Sequence, residues 1–170
     1  MKGKIKYLVL ALVIIFAGAI FLSSYQEPVR EFVTNKTVEV NSGLFFTYEA
    51  TRYPSNVNIT EPIEGNITIG VVVDPWNLNF GMIPTGGNFG KRILILTNQQ
   101  EKNVRVSLKA YGNIKPMVEF EKNDFILGKS KNTTIDIILR TTGKTEIGDY
   151  TGEIDVSIKI PKYGFAYMFL

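Results

Sequence analysis

The chain has 170 residues, with 19 Lys and Arg against 16 Asp and Glu, and it contains neither His nor Cys. That length suits one ordinary domain with small additions. The missing residue types exclude Ser-His and Cys-His nucleophile pairs, thiolate chemistry, thiol-bound zinc, Fe–S clusters and His-ligated haem.

The charge is unevenly spread. Lys2, Lys4 and Lys6 are the only charges before Glu27, and without them the chain has 16 cations and 16 anions. The basic pI therefore describes a short leader, and no basic cluster of the kind that binds nucleic acid follows it. From Tyr7 to Leu22 the sequence reads YLVLALVIIFAGAIFL, sixteen residues without a charge, extended to nineteen by Ser23, Ser24 and Tyr25. A spanning helix takes about 20 apolar residues. Lysines before the run and Glu27, Arg30 and Glu31 after it predict a single-pass anchor in the cell membrane through residues 7–22. The N-terminus would be cytoplasmic and the rest outside. A cleaved secretory signal, using Ala17-Gly18-Ala19 or Ser23-Ser24, and a pilin-type leader cut near Gly3 remain open as alternatives. All three export the remainder, which without disulfides must rest on core packing and sheet pairing.

Residues 1–25 thus read as anchor and residues 26–36 (QEPVREFVTNK) as a polar linker. Residues 37–66 read as an added hairpin or cap, in which Val38 and Val40 flank Glu39, Leu44 to Thr51 form an aromatic run, and YPSNVNITEPIEGN (53–66) has the composition of turns and loops. Residues 67–170 carry the regular strands. Ile67, Ile69, Val71 and Val73 alternate with Thr68, Gly70, Val72 and Asp74, and Arg92 to Leu96 is an apolar run ended by Thr97-Asn98. Val104, Val106, Leu108 and Ala110 alternate with polar residues. The same holds for Val118 and Phe120, for Ile135, Ile137 and Leu139, and for Ile154, Val156, Ile158 and Ile160. Period two places one face on a core and the other, including Asp155, Ser157 and Lys159, in water. Many short strands separated by turn-rich segments predict an all-β fold, an antiparallel sandwich, with a barrel as the alternative.

The series Leu78-Asn79-Phe80-Gly81, Ile83-Pro84, Gly86-Gly87 and Leu94-Ile95-Leu96-Thr97-Asn98 resembles the opening of a hydin-like (ASPM/SPD-2/hydin, MSP-like) immunoglobulin-fold domain. The resemblance continues through Ile126-Leu127-Gly128, Thr133 to Ile137 and Gly148-Asp149-Tyr150-Thr151-Gly152-Glu153-Ile154, covering about 90 residues, roughly 74–160. It implies an immunoglobulin-like sandwich and a non-catalytic binding or scaffolding role. The absence of a Cys pair and of a mid-strand Trp departs from antibody domains. Glycine at 81, 86 and 87 suits backbone turns between sheets, and Tyr150 is placed to pin the start of the last strand.

Candidate chemistry is sparse. Gly128-Lys129-Ser130 and Gly143-Lys144-Thr145 lack the upstream glycine of a phosphate loop, since Asn123 and Ile138 stand there, and strand pattern follows instead of a helix. Glu119 and Glu121 share one strand face, which reads as a solvated face sooner than an acid–base pair. Asp149 and Glu153 are too few for a calcium site. No catalytic residue, cofactor, metal or small-molecule substrate is expected. Four sequons, at Asn35, Asn58, Asn66 and Asn132, are candidate glycosylation positions on loops or strand edges. The uncharged C-terminal strip Tyr163-Gly164-Phe165-Ala166-Tyr167-Met168-Phe169-Leu170 is expected to be a further strand, or a protein-partner contact through Tyr163, Phe165, Tyr167 and Phe169. The function expected is an extracytoplasmic binding or structural module working through sheet edges and loops. The alternative is a chaperone or pilus-like subunit that exchanges strands.

Overall fold

The computed structural model describes residues 30–62 and 76–170, and Phe32–Leu170 forms one compact unit. The expected anchor, the first part of the linker, Asn66 and the alternating run at 67–73 lie outside the described residues. Among the described residues, no helix is long and apolar enough to cross a membrane.

The described residues form mostly β-sheet, as their period-two patterning requires. The strands are β1 (Thr37–Ser42), β2 (Phe46–Thr60), β3 (Leu78–Pro84), β4 (Phe89–Thr97), β5 (Val104–Gly112), β6 (Val118–Phe120), β7 (Phe125–Leu127), β8 (Asn132–Arg140) and β9 (Gly148–Pro161). One sheet runs β1-β2-β9-β5-β7 with β3 also on β2, and the smaller sheet runs β4-β8-β6. Their facing sides share one apolar core. Val57, Ile59, Val104, Val106, Leu108, Ile154 and Val156 come from the larger sheet, and Leu94, Ile135, Ile137 and Leu139 from the smaller. Two separate sheets are seen here, as a sandwich has.

The spine is β2 against β9, paired antiparallel without interruption from Phe46↔Pro161 to Ile59↔Gly148. On its other edge β2 changes partner. Antiparallel β1 covers Thr47 to Arg52, and parallel β3 covers Ser55 to Thr60. Neither neighbour pairs with Tyr53 or Pro54, so the proline, which lacks a backbone donor, sits where that edge is vacant. The β2–β3 pair is the exception to an otherwise antiparallel pattern.

The loop reading of 53–66 is corrected by this strand, which continues to Thr60. Tyr53, Ser55, Val57 and Ile59 are buried, while Pro54, Asn56, Asn58 and Thr60 alternate with them on the other face. The turn-type residues were all on one side of a period-two pattern. Arg92 to Leu96 likewise buries only alternate residues, since Leu94 faces the core while Ile93 and Ile95 face solvent.

Glycine marks the change of sheet. In β3, Asn79 and Met82 pair with Asn56 and Asn58, so β3 carries one extra residue, and Gly81 takes φ 72° at that bulge. Gly86 and Gly87, both at φ 96°, then carry the chain from the larger sheet to β4; only glycine takes such angles without penalty. Polar side chains close other gaps. The Asn98 amide donates to the carbonyls of Lys102 and Gly128 at 2.8 and 2.9 Å, while its oxygen accepts from Gln100 N–H. Beyond the short β7, Asn123 bonds both backbone groups of Leu108 as a strand residue would.

The C-terminal strip is not a strand, which corrects that expectation. Pairing of β9 ends at Pro161 because β2 begins opposite it, and Lys162 N–H makes one last bond to Phe45 O. With no neighbouring strand beyond among the described residues, residues Gly164–Phe169 close into a 3-10 helix, with Ala166 N–H on Tyr163 O and Leu170 N–H on Tyr167 O.

Where β5 meets β9, Gly112 lies opposite Gly152. A Cβ on Gly152 would stand 2.1 Å from the Tyr111 carbonyl oxygen, which is main chain and unable to swing away. Gly152→Ala is therefore expected to cost about 1–3 kcal/mol by overpacking. Gly143→Ala, with nothing within 4 Å, should stay within about 0.5 kcal/mol. Chemical denaturation of the two variants compares them; equal midpoints would refute the close approach.

Candidate functional site

Two groupings of chemistry-bearing residues stand out. One lies inside the outer face of the larger sheet. Period two predicts that Asp155 faces water; instead it is buried, as is Glu153, which is 0% exposed. Arg52 explains Glu153. Its Nε donates to Glu153 Oε1 at 2.7 Å and its Nη2 to Oε2 at 3.0 Å, a two-point geometry that matches guanidinium to carboxylate. The third arm of Arg52 reaches Glu39 Oε1 at 2.8 Å. Val33 N–H donates to Glu153 Oε2 at 3.0 Å, so part of the expected linker is packed against the sheet. Lys36 also lies over the Tyr53 ring, 5.0 Å from its centroid. The hydrogen bond to Glu153 holds the Arg52 guanidinium far above its ordinary pKa, against partial burial pulling it down. A raised value contributes fully at any pH below the ordinary arginine range and is lost only as pH climbs through the raised one. The arginine side of the pair thus adds no pH dependence near neutrality. This centre joins β1, β2, β9 and the segment before β1; its chemistry is cohesion.

The other grouping is at the end of the sandwich where β9 finishes. Phe45, in the β1–β2 turn, meets Phe165 edge-on at 5.7 Å, and Phe165 stacks on Tyr163 at 5.6 Å. Leu44, Tyr167, Met168 and Phe169 are exposed beside them. Ala166 alone of the 3-10 helix is buried, anchoring the turn so that its large side chains point outward. Lysines fasten the end through neutral acceptors. Lys162 Nζ donates to Ser42 Oγ and Gly43 O, both at 2.6 Å, and Lys102 Nζ to the carbonyls of Pro161 and Lys162. Lys159 Nζ donates to Phe169 O at 2.5 Å and sits 4.0 Å from the Phe46 ring centroid. Of the four expected contact residues, Phe165, Tyr167 and Phe169 lie on the helical turn and Tyr163 caps it, with Tyr163 and Phe165 in ring contact and a further contributor, Phe45, from the β1–β2 turn. That contributor was visible as an aromatic run at Leu44 to Thr51, but nothing local tied it to the C-terminus.

The remaining candidates are dispersed. Asn35 is exposed ahead of β1 and Asn132 is exposed as the first residue of β8. Asn58 is not at a loop or edge, since it lies inside β2 between β9 and β3 and donates to Asp149 Oδ1 at 2.6 Å. Asp149 and Glu153 are accordingly held by different partners. Glu119 stands 3.7 Å from Arg140, and Glu121 accepts from Asp136 N–H; both carboxylates are exposed. Gly128 to Lys131 and Thr142 to Thr145 form turns that close on their own backbone bonds. Among the described residues, no group of three or more His, Cys, Asp or Glu is arranged to hold a metal.

Comparison with known protein families, with curated proteins and with solved structures finds no match to this chain.

Arg52→Met would leave the Glu153 carboxylate buried without its counter-charge, at an expected cost of about 3–5 kcal/mol. Replacing both partners with methionine should recover most of that loss, because the uncompensated charge disappears with it. Urea unfolding of the single and double variants measures both; a double variant as unstable as the single would contradict this account.

Proposed function

We propose that the chain is a membrane-anchored module displayed outside the cytoplasm, an immunoglobulin-like sandwich that acts by binding, without catalysis, through the edge of β1, which among the described residues pairs only with β2. The uncharged run at 7–22 behind three lysines supports the anchor. The Tyr150 hydroxyl, which donates to Glu146 O at 3.0 Å just before β9, supports the immunoglobulin-like reading, because such sandwiches pin a strand start by this tyrosine corner.

The observation that carries the binding mode is the state of the sheet edges. Soluble β proteins guard their edges with short strands, bulges, prolines or charge. The edges at β6 and β7 have three residues each, β3 is bulged at Gly81 and ends in Pro84, and β4 carries Lys91 and Arg92. Edge strand β1 is six residues long, has neither proline nor bulge, and all six of its residues are exposed. Its one charge, Glu39, is engaged by Arg52. On the core-facing side the smaller sheet does not cover it, leaving Val38 53% and Val40 62% exposed. A strand added here would gain main-chain hydrogen bonds and two apolar contacts at alternate positions. A surface-assembly subunit that exchanges strands would use the same edge, with its partner displacing β1 instead of extending it.

A photo-crosslinker at position 40 in the native membrane should give a discrete adduct that Val38→Lys abolishes, while one at Ile95 on the smaller sheet gives none. Both valines are exposed, so the lysine variant should keep its stability within about 0.5 kcal/mol. Equal adducts from positions 40 and 95, or none from either, would overturn the edge as the working surface.

A further inference from the structure

We infer that the aromatic end of the sandwich rests on the lipid surface of the membrane that anchors the chain, an inference that builds on the anchored reading above. The side chains are the ones an interface selects. Tyrosine and phenylalanine settle at the headgroup level with an apolar body in the acyl boundary. Here Phe165, Tyr167 and Phe169 share one short turn with Met168, which is 82% exposed.

Charge fits the same occupant. Lys102, Lys159 and Lys162 fasten this end by donating to carbonyls and a hydroxyl, not to carboxylates. Their positive charge is therefore not cancelled by an acidic partner, and anionic headgroups attract such lysines. The turn also lacks what a soluble strand partner would need. Its backbone curls into a 3-10 helix, with Ala166 N–H on Tyr163 O and Leu170 N–H on Tyr167 O, so it offers side chains and no extended strand edge.

The absence of native cysteine makes the test clean. The full chain is reconstituted in vesicles containing an anionic phospholipid, with a fluorophore on Met168→Cys or, for reference, on Ile147→Cys at the opposite end of β9. Nitroxide groups on the lipid near the headgroup should quench the label at 168 about two-fold or more beyond that at 147. Phe165→Asp with Phe169→Asp should remove the difference. Equal quenching at the two positions overturns the inference. So does protection of the label at 168 that appears in native membranes but not in pure lipid, which assigns the surface to a protein. The anchor is judged separately. If alkaline carbonate strips the intact chain from the vesicles, residues 7–22 do not span, and the quenching comparison still decides whether this end touches lipid.

Discussion

Glu153 is the constraint on which the larger sheet depends. A carboxylate with no exposed surface is tolerated only if its charge and its lone pairs are met. Arg52 meets two of them and a backbone amide of the preceding segment a third. The condition fixes register. A one-residue slip of β2 against β9 would move Arg52 to the opposite face and strand the carboxylate. The fourteen paired positions of the β2–β9 ladder are thereby locked by one guanidinium.

The rest of the architecture follows from that ladder. Since β2 is long, it serves two neighbours in turn on one side, and the first of them projects beyond the cover of the three-stranded sheet. The same overhang leaves β9 without a strand partner after Pro161 among the described residues, and there the chain folds into its final turn against the β1–β2 loop. The uncovered strand edge and the aromatic end therefore have a common origin in unequal sheet widths, six strands against three.

Much of this was legible in the amino-acid order. The alternation in β5, β8 and the later part of β9 gave strands and their core residues, because each has one apolar and one polar face. Gly81, Gly86 and Gly87 were identified as turning points for their backbone freedom, and they do turn the chain. Three readings failed for physical reasons. Residues 53–60 looked like a loop because asparagine and proline crowd the exposed face of a strand whose other face is buried. Asp155 was read as facing water yet is buried, and its neighbour Glu153 is met by a counter-ion 101 residues away, a pair that no local pattern announces. The C-terminal strip has the composition of a strand, yet strands need neighbours, and the described sheet offers it none. The meeting of Phe45 with Phe165 is equally long-range and invisible to periodicity.

The bond from Val33 to Glu153 also sets a mechanical path. Tension arriving from the N-terminal side meets Val33 before it reaches Thr37, and Glu153 passes it through Arg52 into the two central strands. Strand β1, sewn to its neighbour along one margin, is spared that load and would not be the first piece to unzip.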